Sequence, residues 1–183
     1  MPPPGVHKYF LAVIPPAPLK DTLHKLKVYF HETYQSKAAL KSPPHLTLHM
    51  PFQWKAEKED RLVNALQSFA VGRPRFEIAL TGFGAFVPRV IYVAVQDHEP
   101  LKTLQQELHR FCKGELNLFN AQYQDQPFHP HFTLAFRDLK KPQFSKAWDE
   151  FKDKSFSAHF EVDRIVLLKH DDKVWRPHVD CCF

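Results

Sequence analysis

The chain has 183 residues, 44% of them hydrophobic, with a formal net charge of +5 and a pI near 9.1. That length fills one core, or two small lobes sharing one, and the basic balance suits a polyanionic partner such as RNA or nucleotides. No run of about 18 apolar residues exists, so no membrane-spanning helix is expected.

Taken in chain order, the sequence predicts a strand over 8–14, then a helix over 19–34 with Leu19, Leu23, Leu26 and Phe30 at helical spacing. A strand from His45 to Met50 follows, then a helix over 57–71 carrying Leu62, Leu66 and Phe69. The next strand, 75–81, alternates Phe76, Ile78 and Leu80 with Arg75, Glu77 and Ala79. The same order then recurs. A strand over 90–95 leads to a helix over 101–113 with Leu101, Leu104, Leu108 and Phe111. Then come a strand over 131–136, a helix over 143–152 and a strand over 155–162. A terminal hairpin, 164–169 with 174–181, turns at Asp171-Asp172. Most of the sixteen prolines mark connections, as in Pro15-Pro16-Ala17-Pro18 and Pro43-Pro44.

An offset of 82 residues matches Ala12-Val13 to Ala94-Val95, Leu19-Lys20 to Leu101-Lys102 and Tyr29 to Phe111. The expected fold is α+β and bilobal: two pseudo-symmetric β-α-β-α-β lobes, about 8–86 and 88–183, with mainly antiparallel sheets flanking a central cleft. The chain reads as one domain, with room for the termini to cross over, and as a monomer. Cys112, Cys181 and Cys182 form no Cys-x-x-Cys pair and read as reduced thiols of a cytoplasmic protein. The N-terminal segment has neither the basic nor the apolar region of a secretion signal.

Within this repeat, Pro44-His45-Leu46-Thr47-Leu48 reappears as Pro130-His131-Phe132-Thr133-Leu134, although the chain has only six threonines. On a strand, His and Thr two residues apart share one face while the residues beside them face the core. Two such strands on a shared cleft suit in-line phosphoryl chemistry. One imidazole takes the proton of the attacking water and the other protonates the leaving oxygen, while the threonine hydroxyls hold the non-bridging oxygens. Neither cofactor nor metal is called for. Zinc is a weaker reading of the histidines, because no acidic or Cys ligands accompany them.

These paired motifs, the bilobal repeat and Tyr9-Phe10-Leu11-Ala12-Val13 with Pro88-Arg89-Val90-Ile91-Tyr92 resemble the 2H phosphoesterase superfamily. That superfamily includes 2′-5′ RNA ligase-like proteins and RNA 2′,3′-cyclic phosphodiesterases. The resemblance implies that His45, Thr47, His131 and Thr133 form the active site, with His45 the proton donor and His131 the acceptor. It implies a metal-independent phosphodiesterase acting on RNA ends or nucleotides that carry a 2′,3′-cyclic phosphate. A 2′-5′ ligase activity is a related reading, and a binding module with little turnover is the alternative. Phe10 and Tyr92, equivalent under the repeat, are candidate base-stacking walls, with core packing the competing reading. Arg89 and Lys8 are candidate phosphate attractors. His49 is expected on the face of His45, and His129 and Arg137 on that of His131. The segment 114–128 is a candidate loop over the cleft.

Overall fold

A computed structural model describes residues 5–119, 127–171 and 173–183. The strands are β1 (Val6–Val13), β2 (Leu46–Lys55), β3 (Phe76–Phe86), β4 (Val90–Val95), β5 (His131–Ala135), β6 (Ser157–Val162), β7 (Arg164–His170) and β8 (Trp175–Cys182). The helices are α1 (Leu19–Tyr34), α2 (Glu59–Ala70), α3 (Glu99–Leu116) and α4 (Lys141–Phe151). The eight strands form one antiparallel sheet in the order β6-β3-β4-β5-β2-β1-β7-β8, an α+β fold. Among the described residues, no helix is long and apolar enough to cross a membrane.

The sheet does not divide where the sequence repeat does. β3 falls in the first half of the chain, yet it pairs with β4 and β6, while β7 and β8 join β1. The half-sheets are β2-β1-β7-β8 and β5-β4-β3-β6, so β3 from the first half of the repeat and the terminal hairpin from the second exchange places. The short connection between β3 and β4 explains the exchange, since strands joined this way pair antiparallel with each other. The two half-sheets meet at β2 and β5, where Leu46 pairs with Phe132.

Helix packing follows the same approximate two-fold. α1 lies against β5 and α3 against β2, so each helix covers the His-x-Thr strand of the other repeat. Strand alternation then sorts the side chains. Tyr9, Leu11 and Val13 of β1 enter the main core with Leu46, Leu48, Phe132 and Leu134, all essentially buried. On the opposite face, Phe10 and Ala12 build a small second cluster with Val166 and Leu168, against which Ile14 and Trp175 pack. Removing such surface from water, at about 25 cal/mol per Å2, is the main drive toward this arrangement.

Several details differ from the sequence expectation. α1 buries Leu23, Lys27, Phe30 and Tyr34, so its inward stripe includes a lysine and leaves Leu26 half-buried. α3 continues to Leu116, which takes the start of the 114–128 segment into a helix. Asn120, Gln122, Tyr123 and Gln124 of that segment lie outside the described residues, as does Asp172 of the terminal turn. The three cysteine thiols are free, Cys112 and Cys181 being buried and Cys182 exposed.

Candidate active site

The two Pro-His-x-Thr-Leu strands meet at the seam of the sheet. Leu46 and Phe132, the middle residues of the two motifs, face each other as a pair and point into the core. Continuing the antiparallel register by one residue each way sets His45 across from Thr133 and Thr47 across from His131. Because side chains alternate, all four are on the other face, and all four line a single cleft of about 830 Å3. The cleft draws Phe10 from β1, Lys27 from α1, the 38–42 segment, and His170, Val174 and Trp175 from the terminal hairpin.

The histidines are held alike. His45 Nδ1 lies 2.7 Å from the Pro43 carbonyl oxygen, and His131 Nδ1 lies 2.7 Å from that of His129. A carbonyl only accepts, so each Nδ1 carries the proton and donates it, leaving Nε2 as the reactive nitrogen of each ring. The local sequence explains the match. Pro44 and Pro130 fix φ and restrict the preceding residue to extended conformations, which sets the carbonyl two residues before each His.

Electrostatics differ between the two. Burial above all, with the positive charge of Lys27 second and against the raising effect of the Pro43 carbonyl, brings the pKa of His45 down to about 3. Burial also lowers His131, with neighbouring His129 contributing and the His129 carbonyl opposing. In the free protein both rings are therefore neutral near pH 7. The formal charges lining the cleft are Lys27, Lys41, Arg137 and Lys173, and no carboxylate is among the described lining residues. An anion bound there gains from every one of these charges and favours protonation of an imidazole beside it.

The remaining sequence candidates divide. Phe10 is 2% exposed and lies 4.9 Å from the His45 ring and 4.7 Å from Trp175, so it belongs both to the small cluster and to the cleft wall. Tyr92 does not line the cleft. Its hydroxyl is 3.0 Å from His129 Nε2 and its ring packs 5.0 Å from that of His131, which places it behind the second histidine. Gly84, its pair on β3, makes room for this ring: a Cβ there would overlap it. Arg89 is exposed in the turn between β3 and β4, and neither it nor Lys8 lines the cleft.

His129 and Arg137 do line the cleft, whereas His49 does not. The β1–β2 register slips on either side of His49, and each one-residue slip exchanges the faces of a strand. His49 is thereby buried against Phe52 and His109, and Met50 and Pro51 take its place at the cleft.

Sequence reasoning missed Lys27, His170, Trp175 and the 38–42 segment. Only Lys27 carried a signal, as a charged residue at a position where α1 is otherwise apolar. The 38–42 segment is anchored by the chain just after β5, where the Asp138 carboxylate accepts from Ser36 Oγ at 2.8 Å and from the backbone N–H groups of Lys37 and Ala38, each at 2.9 Å. Among the described residues, no group of three or more His, Cys, Asp or Glu side chains gathers into a metal-binding cluster.

Comparison with known proteins agrees with this architecture. A relative from Geobacillus kaustophilus named "Putative phosphoesterase" is 31% identical over 165 residues, covering 88% of this chain and 87% of its own. A second from Geobacillus sp. strain WCH70, named in the same way, is 32% identical with the same coverage. Among solved structures, Escherichia coli LigT complexed with 3′-AMP superposes with a TM-score of 0.71 at 20% identity, covering 97% of this chain and 98% of that one. The protein TT0787 of Thermus thermophilus superposes with a TM-score of 0.67 at 21% identity, covering 94% of this chain and 96% of that one. The model of the 2′-5′ RNA ligase superfamily matches residues 15–174, and the chain belongs to that superfamily, within the 2H phosphoesterases.

Proposed function

We propose that the chain is a metal-independent phosphodiesterase that opens the 2′,3′-cyclic phosphate of RNA ends or nucleotides, with His45 and His131 as its acid and base. The observation that carries this reading is the matched pair of Nδ1-to-carbonyl bonds, which leaves two reactive Nε2 atoms on opposite sides of one seam in one cationic cleft. In-line attack needs a base and an acid on opposite sides of phosphorus. In the direction the family resemblance implies, His131 removes a proton from water, the water oxygen bonds to phosphorus, and His45 protonates the departing ribose oxygen. Loss of the 3′ oxygen leaves a 2′-phosphate. The Thr47 and Thr133 hydroxyls donate to the non-bridging oxygens as charge builds there.

A nucleotide substrate is also supported by E. coli LigT, whose structures include complexes with 3′-AMP, NADP+ and ATP. Phe10 and Trp175 supply an aromatic wall on the His45 side against which a base can stack. The test is incubation of the wild-type chain with nucleoside 2′,3′-cyclic phosphates and cyclic-phosphate-ended RNA in excess EDTA. Conversion to a phosphomonoester is expected. Tight binding without conversion would favour the binding module, and turnover that needs an added divalent ion would overturn the metal-independent mechanism.

A further inference from the structure

Lys27 is a buried cleft residue whose charge meets neutral backbone acceptors and, among the described residues, no counter-ion. It occupies the buried run Leu23, Lys27, Phe30 and Tyr34 of α1 and is 2% exposed. Its Nζ donates to the carbonyl oxygens of Ala39 at 3.0 Å and Ser42 at 3.1 Å. Neither acceptor is charged, and among the described residues no carboxylate pairs with it. A charge buried against neutral acceptors costs stability that a methionine or leucine at the same place would not. An ammonium has three N–H donors, so one remains beyond the two carbonyls.

The position is also asymmetric. Under the 82-residue repeat Lys27 corresponds to His109, which packs near His49 and does not line the cleft. The buried cation therefore stands on the His45 side alone. The titratable and charged groups sharing the cleft with it are His45, His129, His131 and His170, with the exposed Lys41, Arg137 and Lys173, and among the described lining residues none is acidic.

We propose that Lys27 is a substrate-binding residue of the cleft, its free N–H and its charge engaging a non-bridging phosphate oxygen on the His45 side. This rests on reading the cleft as a phosphate site and adds a contact that neither His-x-Thr motif supplies. The bound anion provides the counter-charge that the folded chain does not. Burial lowers Lys27 to about 7, so the anion also shifts the lysine from partly to fully protonated at neutral pH.

The test is titration calorimetry of inorganic phosphate into the wild-type chain and into Lys27→Met, which fills the same volume without charge. Phosphate affinity is expected to fall at least tenfold in the folded variant, and KM for adenosine 2′,3′-cyclic phosphate to rise more than kcat falls. Phosphate binding within threefold of wild type overturns the proposal, as does a wild-type chain that binds no phosphate. If Lys27→Met does not fold, NMR of the lysine ε-methylenes in the wild-type chain decides. The Lys27 midpoint should move up by a unit or more with saturating phosphate, and an unmoved midpoint overturns the proposal. A wild-type chain that binds phosphate through Lys27 yet opens no cyclic phosphate would sink the proposed reaction and leave this contact standing.

Discussion

Leu46 and Phe132 pair across the seam between β2 and β5, and through them the two His-x-Thr motifs acquire their relative placement. Each is the middle residue of its motif, essentially fully buried, so the packing that closes the core is also what sets the two His-x-Thr faces side by side. Phe132→Ala should cost about 3–5 kcal/mol of stability, the range for removing a buried aromatic ring. Chemical denaturation measures this, and a loss below about 1 kcal/mol would show that the seam is not held by this contact.

The two histidines predict an unusual pH response. Both pKa values are lowered, His45 to about 3, so in the free protein the state with one protonated and one neutral ring is confined below pH 6.5. The kcat/KM profile reports the free enzyme and should peak on the acid side of 6.5. In the substrate complex the phosphate charge raises both values, so kcat should peak at higher pH than kcat/KM. Coincident profiles centred above pH 7 would contradict this electrostatic account.

The same shifts bear on stability. A group whose folded pKa lies below its unfolded value stabilises fully above the unfolded value and loses that contribution as pH falls. The free chain should therefore lose Tm on acidification from about 6.5 toward 3, and saturating phosphate should reduce the loss. Thermal melts with and without phosphate measure both effects. A Tm independent of pH across that window would contradict the burial of neutral His45.

Asp138, just after β5, ties down the chain at 36–38 by accepting from Ser36, Lys37 and Ala38. Asp138→Ala leaves those donors without their carboxylate and should cost about 1–3 kcal/mol. Since Ala38, Ser42 and Lys27 line the same wall, KM should rise along with the fall in Tm. A variant with unchanged Tm and KM would show that the 38–42 segment is held by other contacts.

Tyr92 and Gly84 give a paired test of support behind His131. Tyr92→Phe removes one hydroxyl contact to His129, worth about 1 kcal/mol, and should change kcat only a few-fold. Gly84→Ala forces the whole ring to move and with it the surface on which His131 packs, so its kcat should fall further. The reverse order would place the importance of Tyr92 in its hydroxyl.

The elements and the four central residues were legible because their signals are local. Period-two alternation fixes the faces of His45, Thr47, His131 and Thr133, and the duplicated motif couples the two strands. The placement of β3 was not legible, since Phe76, Ile78 and Leu80 alternate equally well beside either half-sheet. The strand's partner is chosen by the short β3–β4 connection. His49 was misplaced because nothing in Thr47-Leu48-His49-Met50 signals the register slips that turn it inward. Trp175 reaches the cleft only because the terminal hairpin joins β1, a long-range pairing that composition does not encode.

The most direct test of the central claim is kcat for opening a nucleoside 2′,3′-cyclic phosphate by wild type, His45→Ala and His131→Ala in EDTA, with Tm and phosphate binding measured on each. Both variants should fold, and each should lose about a hundredfold or more in kcat, the usual scale for a positioned acid or base. With an activated leaving group, His45→Ala should regain much of its rate while His131→Ala does not. Rescue of His131→Ala instead would reverse the roles, and a folded variant of either histidine that keeps kcat within threefold of wild type on the cyclic phosphate would contradict the two-histidine mechanism.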